Sequence, residues 1–299
     1  MTCLLFGVIY NLSNFGWVYA VDSSETIHSP QLPPGFIVDV TWLNQNYKNG
    51  SVVVVDVREP TIYSNGHISG AVSIPVQSTF SSKSDNEIIA PISHIQQLLS
   101  ESGIDNETNI VLYDDGEYVN AARVFWVLEV YGHKKVSILD GGFPLWQLKS
   151  LPTSDTNVKR QPSIYVPTIV PEILSTKFST RLAISDETKQ IIDARSNDEY
   201  IGRKSITERF GHIPNSINIP SSLNYKNIDG INIIKTIDEL NGIYKDIDSS
   251  KKVIAYCNKG KESALTYLIL RRLGYRVSAY DGSWLEWSRD PTLPVISSP

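Results

Sequence analysis

The feature that most constrains how this chain of 299 residues folds is an internal repeat. In the first half, an apolar run is followed by Asp56-Val57-Arg58 and then by Gly66-His67-Ile68. In the second half, an apolar run is followed by Asp193-Ala194-Arg195 and then by Gly211-His212-Ile213. One structural unit therefore occurs twice, and any fold inferred for the first copy must also serve for the second.

The two copies agree again at a later apolar run, and there they differ in one informative residue. Ile110 to Tyr113 is followed by Asp114, whereas the matching run Val253 to Tyr256 is followed by Cys257. In α/β folds, ligand sites form beyond the carboxyl ends of strands. At this equivalent position, the first copy therefore has a carboxylic acid and the second copy has a thiol.

Short apolar runs rich in β-branched residues alternate with segments whose apolar residues have helical spacing. Val52 to Val55, Ile110 to Leu112 and Val253 to Ala255 are of the first kind, which is typical of strands buried on both faces. Ala121 to Tyr131 and Ala264 to Leu273 are of the second kind. The alternation predicts an α/β fold with two tandem domains, each a mostly parallel sheet flanked by helices.

Composition and a linker complete the domain plan. The chain is 41% hydrophobic and 20% charged, as in ordinary globular proteins. The net charge of −5 and the lack of a basic run argue against a nucleic-acid surface. A segment rich in Pro, Ser and Thr separates the copies, so we expect an N-terminal domain over residues 36–150, a linker over 151–171 and a C-terminal domain over 172–299.

The N-terminal segment has features of a secretion signal. Cys3 to Tyr10 is apolar, and the small residues of Val18-Tyr19-Ala20 precede polar sequence, which predicts removal of residues 1–20 and export, most simply to a periplasm. Against this, the first lysine is Lys48 and Asn11 interrupts the apolar run. If residues 1–20 are retained instead, they would form an apolar arm packed on the body of a cytoplasmic protein. The run is too short for a membrane span.

Cysteine usage narrows the chemistry, because Cys3 and Cys257 are the only two cysteines. Without a C-x-x-C pair or a His/Cys cluster, no metal is expected. If residues 1–20 are removed, Cys257 is the one remaining thiol, and a disulfide does not account for it. Cys257 stands between a strand and a helix, where unpaired backbone N–H groups and the helix dipole favour the thiolate and lower its pKa.

The residues that follow the cysteine form a loop of charged and small side chains, Asn258-Lys259-Gly260-Lys261-Glu262-Ser263. We expect Lys259 and Lys261 to favour the thiolate and to bind an anionic substrate. Gly260 allows a tight turn and Ser263 can cap the helix that follows. Glu262 would act in the opposite sense, since a negative charge beside the sulfur disfavours both the thiolate and a bound anion.

In their order, these motifs resemble the tandem-domain rhodaneses, a family of thiosulfate and 3-mercaptopyruvate sulfurtransferases. The resemblance covers the chain from about Phe36 onward. It rests on the duplicated Asp-x-Arg and Gly-His-Ile motifs, on the cysteine loop, and on the closing segment Tyr280 to Trp287. In that family only the C-terminal copy is catalytic, which implies that the first copy, with Asp114, is inactive.

The resemblance also implies a reaction that needs neither a metal nor an organic cofactor. The Cys257 thiolate would take the sulfane sulfur of thiosulfate and release sulfite, and the persulfide would then pass its sulfur to cyanide or a thiol. The loop residues Asn258 to Ser263 are implied to bind the substrate. The expected partners are therefore a small sulfur donor and acceptor, and we expect a monomer whose copies face each other near the active site.

The choice of donor is open between two members of the family. Lys259 matches a lysine of thiosulfate enzymes, whereas Glu199 stands where mercaptopyruvate enzymes use an arginine. Arg203, Lys204 or Arg209, in about eight extra residues of the second copy, would be possible replacements. Glu262 supports a further alternative, a non-enzymatic persulfide carrier or binding module. A cysteine phosphatase is disfavoured, because Ser263 occupies the position of its essential arginine.

Other repeated residues are interpreted as structural. Each Asp-x-Arg motif predicts an ion pair that fixes a strand-end loop. His67 and His212 occur in both copies, including the one without the cysteine, so a structural role is expected. Trp284 and Trp287 are expected in the core or at the domain interface, with Trp284 also considered for the mouth of the pocket.

Overall fold

The computed structural model describes residues 35–81 and 87–297. The predicted secretion signal, residues 1–20, lies outside the described residues. Within the described part of the chain, no helix has both the length and the apolar character needed to cross a bilayer.

The first half folds around a five-stranded sheet. The strands of this half, five in the sheet and two outside it, are β1 (Ile37–Val38), β2 (Val53–Asp56), β3 (His67–Ile68), β4 (Val72–Ser73), β5 (Ile110–Tyr113), β6 (Val136–Leu139) and β7 (Thr153–Ser154). Its helices are α1 (Val40–Asn46), α2 (Pro60–Asn65), α3 (Ile92–Glu101), α4 (Val119–Val130) and α5 (Gly142–Leu148). The sheet order is β1-β6-β5-β2-β4, with all neighbours parallel, while β3 and β7 form a separate antiparallel pair.

The second half repeats this plan. Its strands are β8 (Leu174–Ser175), β9 (Lys189–Asp193), β10 (Ser216–Asn218), β11 (Tyr225–Ile228), β12 (Ile231–Ile234), β13 (Lys252–Tyr256) and β14 (Val277–Tyr280). Its helices are α6 (Lys177–Ala183), α7 (Asn197–Tyr200), α8 (Ile237–Ile243), α9 (Glu262–Arg272) and α10 (Ser283–Ser288). The parallel sheet β8-β14-β13-β9-β10 has the order of the first sheet, strand for strand, so the predicted α/β class and duplication are confirmed.

The central strands are buried on both faces, as their composition predicts. Every residue of β2, β5 and β6 is buried, as are the last four residues of β13. Such strands need helices on both faces of the sheet, which the crossover connections provide. The carboxyl ends of β5 and β13 place Asp114 and Cys257 at the same edge of their respective sheets.

The two units share one core. Helix α4 lies against helix α9, and buried residues of both helices belong to one continuous apolar cluster. At the edge of this interface, Glu129 of α4 accepts hydrogen bonds from the Tyr267 hydroxyl at 2.6 Å and from Arg271 Nη2 at 3.1 Å. A helix such as α4, which is apolar on most of its surface, requires burial on all sides, and the partner unit supplies one of them.

Each unit also extends an arm to the other. The first arm is the described part of residues 80–89, in which Phe80 and Ile89 form an antiparallel bridge, and the second arm is the β11–β12 hairpin. The Ile89 N–H donates to Asp281, just after β14, at 2.9 Å. The Ile234 N–H donates in the same way to Asp140, just after β6, at 3.0 Å. The arms therefore cross between the units reciprocally.

The segment between the two units lies along the first unit. Its backbone donates from Thr168 to the Tyr131 carbonyl at 3.0 Å and from Val170 to the Val130 carbonyl at 2.8 Å. Tyr165 is fully buried, and its hydroxyl also donates to the Tyr131 carbonyl, at 3.2 Å. Although its sequence has no periodicity, the segment is thus held by backbone hydrogen bonds and one aromatic anchor.

Candidate active site

Cys257 lies in the loop between β13 and α9 and is 0% exposed. The Gly260 N–H donates to its Sγ at 3.0 Å. The Cys257 N–H donates to Ser283 Oγ at 3.2 Å, and this oxygen lies 3.9 Å from Sγ. The Trp284 N–H donates to the Cys257 carbonyl at 2.9 Å. The loop and the start of α10 therefore fix both the backbone and the sulfur of Cys257.

Gly260 is required by the shape of this loop, as the sequence predicts. Its φ of +88° lies in the left-handed region that side chains with a Cβ rarely adopt. A Cβ at this position would lie 2.6 Å from Arg123 Nη1 and 3.2 Å from the Asp281 carbonyl oxygen. Only glycine therefore lets the backbone N–H point at the Cys257 sulfur while Arg123 packs behind it.

The expected lowering of the Cys257 pKa is wrong. Burial, followed by the charge of Glu262 and a hydrogen bond with it, raises the pKa of the Cys257 thiol to about 12, although hydrogen bonds from Ser263 act to lower it. The physical reason is that full burial removes the thiolate from water. The free energy lost in this desolvation is larger than the stabilisation by the surrounding dipoles. The predicted opposition of Glu262 to thiolate formation agrees with this geometry.

The expected helix cap at Ser263 is also wrong. Helix α9 begins at Glu262, and the residue before it, Lys261, has helical dihedral angles and no side-chain capping bond. The chain thus enters the helix earlier than the apolar pattern from Ala264 indicates, which leaves Ser263 inside the first turn. There Ser263 is buried beside the Cys257 loop rather than at the helix terminus.

The two loop lysines meet an acidic residue that sequence reasoning missed. Lys259 Nζ donates to Glu87 Oε1 at 3.0 Å, and Lys261 Nζ lies 3.3 Å from Glu87 Oε2. Burial acts to raise the pKa of Glu87, but the two lysines outweigh it and hold this pKa below its usual range. Glu87 belongs to the first arm, and no motif in the sequence connects it with the cysteine loop.

Asn258 connects the loop to α7. Its Nδ2 donates to Glu199 Oε1 at 2.7 Å. The other Glu199 oxygen accepts from the Ser196 hydroxyl at 2.6 Å, within the capping box at the start of α7. Burial acts to raise the pKa of Glu199, but hydrogen bonds from Ser196 and Asn258 leave it lowered. Glu199 therefore holds the loop in place as a carboxylate.

The cations of the extra segment are engaged away from the loop. Arg203 and Lys204 lie 3.6 and 3.4 Å from Asp198, and both are largely exposed. Arg209 donates to the carbonyls of Asp290 at 2.8 Å and Leu293 at 2.9 Å. The expectation that one of them replaces an arginine at the Glu199 position is therefore not supported, because their contacts brace the extra segment and the C-terminal segment.

The equivalent loop of the first unit has a different backbone course, with positive φ at Gly116 and Tyr118, and it surrounds a carboxylate. The Asp114 carboxylate accepts from the N–H groups of Gly116 at 2.9 Å, Tyr118 at 3.1 Å and Ala121 at 3.1 Å. Burial nevertheless raises the pKa of Asp114. Converging N–H groups of this kind form an anion cradle. In the first unit, the side chain of Asp114 itself occupies the cradle, and no thiol is present there.

The Asp-x-Arg motifs form the ion pairs that the sequence predicts. In the second unit, Arg195 Nη2 lies 2.5 Å from Asp193 Oδ2 and donates to the Gly211 carbonyl at 2.8 Å. In the first unit, Arg58 Nη2 lies 2.6 Å from Asp56 Oδ2 and makes the matching contact with the Gly66 carbonyl. These pairs close the turn after each strand and hold the following motif in place.

The histidines and tryptophans also have the contacts of structural residues. His67 stacks on Tyr63 and His212 stacks on Tyr200, with ring centroids 3.8 Å apart in both units. Trp284 is fully buried, with the Arg195 guanidinium 4.4 Å from its ring centroid. Trp284 is therefore a core residue, and its consideration for the mouth of the pocket is not supported.

Fold and site together define a class of protein with paired parallel α/β units, one of which holds a buried cysteine in the loop after its central strand, with a backbone N–H donating to the sulfur. Comparison with protein families identifies the class. The rhodanese-like domain matches residues 39–149 and again residues 179–290. The chain belongs to the rhodanese family and contains its domain twice, in tandem.

Curated relatives and solved structures agree with this assignment. The chain is 34% identical over 272 residues to a Mycobacterium tuberculosis protein named "putative thiosulfate sulfurtransferase", covering 87% of this chain and 96% of the relative. It is 29% identical over 275 residues to thiosulfate sulfurtransferase of Rattus norvegicus, covering 85% and 92%. The crystal structure of SseA from Escherichia coli, described as a 3-mercaptopyruvate sulfotransferase, superposes with a TM-score of 0.76 at 28% identity, covering 83% and 98%.

A further structure shows the same fold alone. The anaerobic ergothioneine biosynthesis enzyme from Chlorobium limicola superposes with a TM-score of 0.80 at 23% identity, covering 88% of this chain and 70% of that enzyme.

Proposed function

We propose that the protein is a thiosulfate sulfurtransferase with Cys257 as its nucleophile. The observation that carries the proposal is the backbone contact of 3.0 Å from the Gly260 N–H to Cys257 Sγ, in a loop that also presents Lys259 and Lys261. Such a loop stabilises negative charge on sulfur where it develops. The names of the relatives from Mycobacterium tuberculosis and Rattus norvegicus support thiosulfate as the donor.

In the first half-reaction, the Cys257 thiol loses its proton to solvent base, and the thiolate attacks the outer sulfur of thiosulfate. A sulfur–sulfur bond forms, the sulfur–sulfur bond of thiosulfate breaks, and sulfite leaves with the bonding electron pair. The persulfide anion that remains on Cys257 is held by the Gly260 N–H, and the lysine ammonium groups offset the charge of the donor and of sulfite.

In the second half-reaction, an acceptor nucleophile attacks the terminal sulfur of the persulfide. Cyanide forms thiocyanate and a thiolate acceptor forms a persulfide of its own, and in both cases the Cys257 thiolate is regenerated. Donor and acceptor therefore react in turn at one sulfur atom, which predicts ping-pong kinetics. No metal or organic cofactor takes part in these steps.

The test is the intact mass of the protein before and after incubation with thiosulfate and then with cyanide, together with steady-state rates for each donor. We expect a gain of one sulfur atom, about 32 Da, which cyanide removes. If 3-mercaptopyruvate produces the gain in mass and thiosulfate does not, the donor is 3-mercaptopyruvate. No gain with either donor would favour the non-enzymatic persulfide carrier or binding module.

The second candidate is 3-mercaptopyruvate sulfur transfer, which the likeness to SseA favours. It would use the same cysteine and the same persulfide. Against it, Glu199 stands where mercaptopyruvate enzymes of the family use an arginine, and its carboxylate accepts from Asn258 Nδ2 at 2.7 Å, so this position offers no cation to the carboxylate of that donor. The ratio of kcat/KM for the two donors decides between the candidates.

The raised pKa of Cys257 predicts a steep pH dependence. Because only the thiolate reacts, the rate of persulfide formation is expected to rise about tenfold per pH unit between about pH 6 and about pH 9. Glu262→Gln removes a charge that raises the Cys257 pKa, so we expect its profile to shift to lower pH and its rate at pH 7 to be about three- to tenfold higher. Rapid-quench mass spectrometry at fixed thiosulfate measures both effects.

Glu101→Gln is the matched control, because Glu101 lies on α3 and accepts a hydrogen bond from Gln97 at 2.8 Å, away from the cysteine loop. Its profile should coincide with that of the unaltered protein. A flat profile in the unaltered protein, or equal shifts in Glu262→Gln and Glu101→Gln, would contradict the assignment.

We also propose that the protein is exported, on the basis of the small residues that precede Val21. Sequencing the N-terminus of the protein recovered from its host should then find Val21 first. A first residue of Met1 would refute cleavage and favour a cytoplasmic location.

A further inference from the structure

The first arm brings a carboxylate into the part of the loop where an anionic donor would bind. Glu87 lies 3.0 Å from Lys259 Nζ and 3.3 Å from Lys261 Nζ, so one side chain engages both lysines. The contact is partly sheltered, with side-chain exposures of 25% for Glu87, 27% for Lys261 and 41% for Lys259. Sheltered ion pairs are weakened less by salt than exposed ones.

Buried groups of both units hold Glu87 in this position. Arg123, whose side chain is 0% exposed, donates from Nη2 to the Glu87 carbonyl at 2.9 Å and to Asp281 Oδ1 at 2.6 Å. The other Asp281 oxygen accepts the Ile89 N–H at 2.9 Å. The backbone on which the Glu87 side chain is mounted is therefore fixed, whereas its carboxylate is bound only through the two lysines in the contacts described.

The second arm provides an internal comparison. Asn232 precedes Ile234 as Glu87 precedes Ile89, and its Nδ2 donates to the Gly116 carbonyl at 3.1 Å. This position therefore contacts the loop of the opposite unit in both arms. In the second arm a neutral amide makes the contact, so docking of an arm does not require a negative charge.

The charges close to Cys257 also disfavour an anion. Glu262 follows Lys261 directly in the chain, and Glu87 contacts both lysines. Glu199 accepts a hydrogen bond from Asn258. Three carboxylates therefore stand against two ammonium groups. The charges of Arg195 and Arg123 do not change this balance, because they are paired with Asp193 and Asp281.

We propose that Glu87 is a specificity-determining residue, an internal anion that occupies the lysine pair and that an anionic sulfur donor must displace. The inference rests on the proposed function, since it takes the lysine pair as the donor site. Because Coulomb energy scales with charge, Glu87 disfavours a dianion such as thiosulfate more than a monoanion such as 3-mercaptopyruvate. An anion that binds the two lysines more weakly than the Glu87 carboxylate does therefore fails to displace it.

Steady-state kinetics of Glu87→Gln test the effect on specificity. The KM for thiosulfate should fall about tenfold, and that for 3-mercaptopyruvate about threefold, since half the charge gives half the free energy and the square root of the ratio. Glu87→Asn, which copies the second arm, should behave in the same way and replaces Glu87→Gln if that variant does not fold. Glu101→Gln should leave both KM values unchanged.

A binding measurement without turnover separates this inference from the proposed function. Sulfate is titrated by calorimetry into the unaltered protein and Glu87→Gln, where we expect about tenfold tighter binding in the variant. Adding Lys259→Gln to Glu87→Gln should remove the gain, and added sodium chloride should reduce it.

The outcomes are distinct. If no variant forms a persulfide but sulfate still binds more tightly to Glu87→Gln, the proposed reaction fails and the internal anion stands. If persulfide forms while sulfate affinity and both KM values are the same with and without Glu87, the internal anion is overturned and the reaction stands. An equal fall in KM for both donors would also overturn it, because charge would not explain the change.

Discussion

Cys257→Ser is expected to abolish sulfur transfer, with a loss in rate of about a thousandfold or more. A serine hydroxyl stays protonated at any working pH and cannot hold a sulfane sulfur as a persulfide. The loop should keep its shape, because its backbone contacts to Ser283 and Trp284 do not involve the sulfur. Thiocyanate formation from thiosulfate and cyanide measures the rate, and the variant should show no gain in mass.

Cys3→Ser, made in the full-length chain that retains residues 1–20, is the matched control, because Cys3 is the other cysteine of that chain. It should retain the full rate and the gain of about 32 Da. Mass gain in Cys257→Ser, or its loss in Cys3→Ser, would move the nucleophile away from the loop after β13. Thermal unfolding of both variants shows whether either change affects the fold.

Arg123→Met is expected to lower the free energy of unfolding by about 3–5 kcal/mol, since it leaves a buried carboxylate without its cation. Arg123 is 0% exposed and Asp281 is 8% exposed, and they pair across the interface at 2.6 Å. Loss of the guanidinium also removes donors to the carbonyls of Glu87 and Gly260. Urea unfolding followed by tryptophan fluorescence measures the change.

Lys135→Met is a control with an exposed ion pair, because Lys135 lies 2.6 Å from Glu107 and their side chains are 38% and 83% exposed. Its loss should cost less than about 1 kcal/mol. Adding Asp281→Leu to Arg123→Met should recover part of the stability, because the stranded charge is removed with its partner. Equal effects of Arg123→Met and Lys135→Met would show that burial of the first pair has no energetic consequence.

The repeat and the apolar runs predict most of the architecture, because both are local signals. The predicted strand Val52 to Val55 is β2 (Val53–Asp56), and the predicted helix Ala121 to Tyr131 is α4 (Val119–Val130). The duplication strengthens this prediction, because the same pattern rarely occurs twice in the same order by chance. The bend at Gly260 was accessible for the same reason, as a property of one residue.

The electrostatics of the site could not be predicted in this way. The Cys257 pKa depends on burial, which arises from the packing of both units rather than from the loop sequence. Glu87 lies 172 positions from Lys259 in the chain, and only the crossing of the first arm brings them together. The cap at Ser263 was misplaced because the helical dihedral angles of Lys261 extend the helix past its apolar pattern.

The crossed arms bear on whether either half of the repeat can be removed without harm to the other. The first unit carries Asp114 in place of a thiol, yet it supplies Glu87 and Arg123 to the loop that holds Cys257. The second unit returns an arm to the first, through Asn232. Deleting the half without the thiol would uncover the shared core and take Glu87 and Arg123 from the Cys257 loop, so the two halves are structurally interdependent.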